Sequence, residues 1–240
     1  MNVKKNIPNA ITCCNLISGC FGILFTFNYR LDLAFYMVLL AAVFDFFDGF
    51  AARILNVSSP IGKDLDSLAD MITFGVLPGF IMYKMIGFTL APSPLSIMTI
   101  PLLACIAFLI PVFSALRLAK FNNDTRQTES FIGVNTPANT LLISSLGYII
   151  FQTEKMIHLE NRDTPVYLKY LISTPYPLIC LTLLMCYLLV SEIPIFALKF
   201  KNFGWPDNKI RYLFLIIALI LLILFQFFAF PFIILLYILL

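Results

Sequence analysis

Five aspartates, Asp45, Asp48, Asp64, Asp66 and Asp70, fall within 26 positions of a 240-residue chain that holds only 13 acidic residues. Asp45 and Asp48 are set between Val43-Phe44 and Phe46-Phe47, in a stretch that is otherwise apolar. A carboxylate at the centre of a spanning helix costs about 2.5–3.5 kcal/mol and less near the interface, so a cluster of them points to function. The spacing says which kind. On a helix, Asp45, Asp48, Gly49 and Ala52 stand at offsets 0, 3, 4 and 7 and share one face. Gly62, Asp66 and Asp70 repeat the pattern at intervals of four. Two helices can therefore each turn a pair of carboxylates toward the other. Only Arg53 and Lys63 are nearby to balance them. The four facing carboxylates, Asp45, Asp48, Asp66 and Asp70, thus call for hard divalent cations with oxygen ligands, magnesium or manganese.

Two such ions, about 3.5–4 Å apart, form the clamp used for displacement at phosphorus. A spare carboxylate accepts the proton of an attacking hydroxyl. The small Gly49 and Ala52 leave a groove where a diphosphate approaches the backbone. Arg53 closes the same helix end with a cation suited to phosphate. These residues predict metal-assisted phosphoryl transfer at a membrane surface, on a lipid that carries a diphosphate. A proton or cation path through the aspartates is the competing reading. The small residues and the arginine beside the carboxylates favour transfer.

The elements that must hold these residues follow from composition. The chain is 60% hydrophobic and 12% charged, with a mean hydropathy of +0.93, against about 45–50% and 25% in ordinary soluble domains. That excludes a soluble enzyme, a nucleic-acid-binding module and a disordered chain. The protein belongs in a bilayer. Spans of about 20 residues are expected at 10–28, 33–54, 67–88, 98–118, 136–155, 174–196 and 210–228. An apolar tail at 229–240 reads as a short eighth crossing or a kinked continuation lying in the interface. The fold class is therefore an all-α integral membrane protein, a polytopic bundle of 7–8 transmembrane helices. Ile7-Pro8-Asn9 interrupts the run that follows Lys4 and Lys5, so this end reads as a retained first helix and not a cleaved leader. The six cysteines lie in apolar stretches without metal or disulfide spacing and read as small hydrophobes.

Loop charge gives an orientation. With the N-terminus in the cytoplasm, that side holds Lys4, Lys5, Arg53, Lys63, Arg117, Lys120, Arg126, Lys199, Lys201, Lys209 and Arg211, which is 11 of the 16 basic residues. The aspartate cluster then faces the cytoplasm.

The string Asp45-x-x-Asp48-Gly49-x-x-Ala52-Arg53, eight residues, Gly62-x-x-x-Asp66-x-x-x-Asp70 resembles the full motif of the CDP-alcohol phosphatidyltransferases. Several flanks resemble the branch of that family that makes phosphatidylserine: Ile7-Pro8-Asn9 with Thr12 and Asn15, Asp66-Ser67-Leu68-Ala69-Asp70 with Phe74-Gly75, Arg117-Leu118-Ala119-Lys120-Phe121-Asn122, and Gly133-Val134-Asn135-Thr136-Pro137-Ala138. Asn135 stands where that branch usually has proline. The resemblance implies a reaction in which the hydroxyl of L-serine attacks the lipid-proximal phosphate of CDP-diacylglycerol and CMP leaves. It implies that Asp45, Asp48 and Asp66 bind metal and that Asp70 binds metal or is the catalytic base. Gly49, Ala52, Arg53 and Gly62 would bind the CDP-lipid. It further implies a homodimer, an inner-membrane location and a six-helix catalytic core over 1–196, with 197–240 as an added C-terminal helix or hairpin. A serine acceptor is a zwitterion, and Arg117 or Lys120 is expected to hold its carboxylate or a lipid phosphate. The same chemistry with glycerol 3-phosphate or an inositol phosphate is the alternative; those acceptors would want more basic residues than 117–126 offers.

Overall fold

Long apolar runs broken by short polar turns become helices in the computed structural model, which describes residues 3–57, 59–90, 102–123, 130–160, 174–196 and 204–240. Helix α1 covers Val3–Phe27 and α2 covers Leu31–Ile54, packed along each other. α1 runs through Pro8, where a start after the proline was expected. Its long contact with α2 outweighs the one ladder bond that a proline removes. α3 (Pro60–Asp70) begins ahead of the expected 67 because Ser59 caps it, its Oγ accepting the Gly62 N–H at 3.0 Å, with Pro60 at the first helical position. A π-helical segment, Met71–Val76, follows Asp70 directly and leads into α4 (Leu77–Thr89), so that 60–89 is one helical rod. Such wide turns recur at functional sites.

A 3₁₀ segment at Leu102–Phe108 enters α5 (Leu109–Asn123), and α6 covers Thr136–Glu160. The span expected at 174–196 is a shorter helix, α7 (Tyr176–Val190). The chain turns extended at Ser191, and Pro194–Phe196 forms strand β2, antiparallel to β1 (Ser130–Ile132) with Phe131 opposite Ile195. This ribbon is the one β element among the described residues, an addition to the helical expectation.

α8 (Trp205–Phe225) breaks at Gln226, which takes φ +51°, and α9 (Phe230–Leu239) folds back, bringing Tyr237 within 5.9 Å of Phe214, ring to ring. The tail is the second limb of a hairpin that packs on α6. At its tip Phe227 and Phe230 meet Phe35 at 5.8 and 5.3 Å.

Among the described residues, five helical stretches are long and apolar enough to cross a membrane: Asn6–Phe27, Leu31–Ile54, Pro60–Thr89, Leu102–Asn123 and Asn208–Leu239, the last being the α8–α9 hairpin taken as a whole. This is an all-α polytopic membrane protein. Residues such as Phe21, Leu24, Phe46, Phe50, Leu219 and Ile223 face outward and suit lipid. α6 differs: it buries Thr136, Asn139, Thr140, Ser144, Ser145 and Thr153 at the bundle centre. Its hydroxyls bond back along the helix, Thr140 to the Thr136 carbonyl at 2.9 Å and Thr153 to that of Ile149 at 2.8 Å. Polar residues are stable there because neighbouring helices exclude lipid. The start of the expected fourth span at 98–101, and the loop cations Arg126, Arg162, Lys169, Lys199 and Lys201, lie outside the described residues.

Candidate active site

The expected faces do meet. One carboxylate oxygen from each of Asp45, Asp48 and Asp66 lies within 4.8 Å of the others. Asp70 is in hydrogen-bonding contact with Asp45. Carboxylates this close repel one another unless they share a proton or hold a cation between them.

α1 supplies no acid but orients two of them. The Thr12 hydroxyl donates to Asp48 Oδ2 at 2.7 Å, and Asn15 Nδ2 donates to Asp70 Oδ1 at 3.1 Å. Thr73, in the π segment, donates in turn to the Asn15 carbonyl at 3.3 Å. Thr12 and Asn15 entered the sequence reading only through resemblance. The available signal was a polar pair one turn apart on an apolar helix. Asn15 Oδ1 is buried beside Asp70 with no hydrogen-bond partner among the described residues. An all-oxygen set of acceptors with one more unpaired acceptor at its edge fits a hard cation.

A cavity of about 280 Å³ opens beside the carboxylates, lined by Pro8, Asn9 and Thr12 of α1, Asp48, Gly49 and Ala52 of α2, and Gly62, Lys63 and Asp66 of α3, with Val57 and Ser59 between. A Cβ built on Gly49 would meet nothing within 4 Å, so this glycine faces open space. Gly49, Ala52 and Gly62 thus line one cavity. Arg53 is not among the lining residues. Its Nε donates to the Gly49 carbonyl at 3.0 Å, one turn back on its own helix. The cation that lines the cavity is Lys63, whose Nζ also lies 3.4 Å from the Asn122 carbonyl.

Arg117 and Lys120 sit on α5, which runs antiparallel to the α3–α4 rod. Two contacts set the register: Asn122 Nδ2 donates to Ser67 Oγ at 2.8 Å, and Ser114 Cβ lies 3.2 Å from where a Gly75 Cβ would stand. Arg117, between them, is level with the turn that follows Asp70. Thr140 Oγ1, whose one proton is shared with the Thr136 carbonyl, also lies 2.9 Å from the Phe74 carbonyl and brings the start of α6 to the same depth. Arg117 is buried, its Nε donating to the Val134 carbonyl at 3.3 Å and its guanidinium 5.2 Å from the Phe121 ring centre. Lys120 is exposed, with Nζ 3.5 Å from the Val190 carbonyl. The 133–135 turn beneath Arg117 is held from α7 and the β2 side: Gly133 N–H donates to the Ile193 carbonyl at 2.8 Å and Val134 N–H to that of Leu188 at 3.0 Å. Asn135 caps α6, its Oδ1 accepting the Ala138 N–H at 2.8 Å.

The family model for CDP-alcohol phosphatidyltransferase matches residues 5–170, a stretch that contains all four carboxylates, the cavity and Arg117. The chain belongs to the CDP-alcohol phosphatidyltransferase family. Among curated relatives, CDP-diacylglycerol–serine O-phosphatidyltransferase of Helicobacter pylori is 29% identical over 167 residues, which is 69% of this chain and 65% of the relative. The enzyme of that name from Bacillus subtilis is 34% identical over 143 residues, 59% of this chain and 75% of the relative. That from Methanocaldococcus jannaschii is 31% identical over 144 residues, 60% and 61% respectively. The match therefore spans a little under two thirds of the Helicobacter relative's length. In this member of the CDP-alcohol phosphatidyltransferase family, the α8–α9 hairpin falls outside the residues that the family model matches.

Proposed function

We propose that this protein transfers the phosphatidyl group of CDP-diacylglycerol to L-serine, giving phosphatidylserine and CMP. The observation that carries the reading is the convergence of Asp45, Asp48 and Asp66 within 4.8 Å, beside a cavity that Asp48, Asp66 and Gly49 help to line. The cytidine diphosphate part lies in that cavity, with Lys63 beside its phosphates and Gly49, Ala52 and Gly62 admitting them to the backbone. Two divalent cations, magnesium or manganese, held by Asp45, Asp48, Asp66 and Asp70, would supply neutralisation of the diphosphate charge. Thr12 and Asn15 keep Asp48 and Asp70 aimed at the site. Asp70 takes the proton of the serine hydroxyl as its oxygen bonds to the lipid-bearing phosphorus. The bond from that phosphorus to the CMP oxygen breaks, and CMP leaves.

On the acceptor side Arg117 meets the serine carboxylate, supported by its level with Asp70 and its burial; Lys120 serves a phosphate nearer the surface. The names of the relatives support serine over glycerol 3-phosphate or an inositol phosphate. Residues 1–196 form the six-rod catalytic core and 197–240 the added hairpin. The loop-charge bias supports a site facing the cytoplasm from the inner membrane. A homodimer rests on the family resemblance.

The test is CMP release by the purified protein in detergent with CDP-diacylglycerol and manganese, with and without L-serine. Release that needs both serine and metal is expected. Release prompted by glycerol 3-phosphate instead would keep the chemistry and change the acceptor. Ion flux in proteoliposomes without any CMP release would overturn the transferase reading.

A further inference from the structure

We propose that the C-terminal hairpin is part of the acceptor side, with Tyr237 of α9 acting as a positioning residue for Arg117; this rests on the reading that Arg117 meets the acceptor. The path begins at Val134, whose carbonyl receives Arg117 Nε at 3.3 Å. Val134 is fully buried in a cluster with Ala138 and Leu142 of α6, Phe214 and Ala218 of α8, and Tyr237. Tyr237 is only 6% exposed, its ring 5.9 Å from that of Phe214. Its phenol also lies within the electrostatic reach of the Arg117 guanidinium.

The physical need is clear. A guanidinium that is 4% exposed has left water behind and requires acceptors and aromatic faces in place of it. Val134 supplies a carbonyl and Phe121 a ring, and Tyr237 lies in the same buried cluster as Val134. A buried tyrosine in turn wants a partner for its polar tip. The chain reversal at Gln226 makes the meeting possible. Without it, an unbroken helix would carry residue 237 about 35 Å beyond Phe214. Residues 5–170 build the catalytic cluster. The hairpin lies beyond them and steadies the buried Arg117.

The experiment uses the full-length purified protein and steady-state kinetics in both substrates. Tyr237→Phe is expected to raise the serine KM about three- to tenfold, the range of one hydrogen bond, with the KM for CDP-diacylglycerol and the thermal unfolding midpoint unchanged. Arg117→Ala is expected to raise the serine KM further, and adding Tyr237→Phe to it should change nothing more, since the two act as one unit. A wild-type serine KM in Tyr237→Phe, with Arg117→Ala still impaired, would overturn the role of the hairpin and leave that of Arg117 standing. A wild-type serine KM in Arg117→Ala would overturn both. Effects of the two substitutions that multiply independently would overturn the route through Arg117. If Tyr237→Phe is not recovered folded, Phe214→Leu, which removes the ring backing Tyr237, is measured in the same way.

Discussion

Thr12 Oγ1 donates to Asp48 Oδ2 at 2.7 Å across 36 positions of the chain. Asn15, one turn further along α1, does the same for Asp70 at 3.1 Å. The first helix thus sets the aim of one carboxylate from each side of the motif, although it contributes no carboxylate of its own.

Thr12→Val keeps the shape and removes the donor. Loss of such a supporting bond lowers metal affinity about 10–100-fold, so the manganese concentration for half-maximal CMP release should rise by that factor. Turnover at saturating manganese should change much less. A manganese titration that overlays the wild-type curve would show that Asp48 holds its aim without Thr12.

Asp70→Asn removes the proposed proton acceptor while keeping the Asn15 side of the contact. Turnover should fall about 10²–10⁴-fold, the usual contribution of a general base, with CDP-diacylglycerol still bound. Asp48→Asn should instead shift the metal titration. Near-normal turnover in Asp70→Asn would remove it as the base.

Two glycines separate binding from folding. A Cβ at Gly49 meets nothing within 4 Å, so Gly49→Leu should unfold at the wild-type temperature yet raise the KM for CDP-diacylglycerol by filling the cavity. Gly133 has φ +73°, and a Cβ there would stand 2.8–3.0 Å from the carbonyl oxygens of Ser191, Leu189 and Leu188. Gly133→Ala should therefore cost at least about 1–2 kcal/mol from backbone conformation alone. Thermal unfolding of the two variants side by side checks both; equal midpoints would refute the contrast.

Lys63 and Arg53 make a similar pair. Lys63 lines the cavity, whereas Arg53 bonds back to the Gly49 carbonyl. Lys63→Ala should raise the KM for CDP-diacylglycerol about tenfold, as loss of a charged hydrogen bond does, and Arg53→Ala should raise it less. The reverse order would mean that Arg53 swings toward the nucleotide when it binds.

Much of this protein was legible in the chain itself. Acidic residues are costly in apolar helices, so Asp45, Asp48, Asp66 and Asp70 marked out a candidate site, and the fold brings Asp45, Asp48 and Asp66 within 4.8 Å of one another. Their spacing of three and four is a property of one helix and needed no partner to be read. Membrane residence followed from composition alone. Other features depend on which helices touch, which local spacing does not encode. The pairing of Thr12 with Asp48 joins residues 36 positions apart. The choice of Lys63 over Arg53 as the cation in the cavity came from a side chain folding back on its own helix. The ribbon that ends α7 early exists because 194–196 found a partner at 130–132. Hydropathy is blind to direction, so the apolar tail at 229–240 read equally well as a crossing or a surface segment. A single residue with positive φ, Gln226, turned it back along α8 and brought Tyr237 against Phe214.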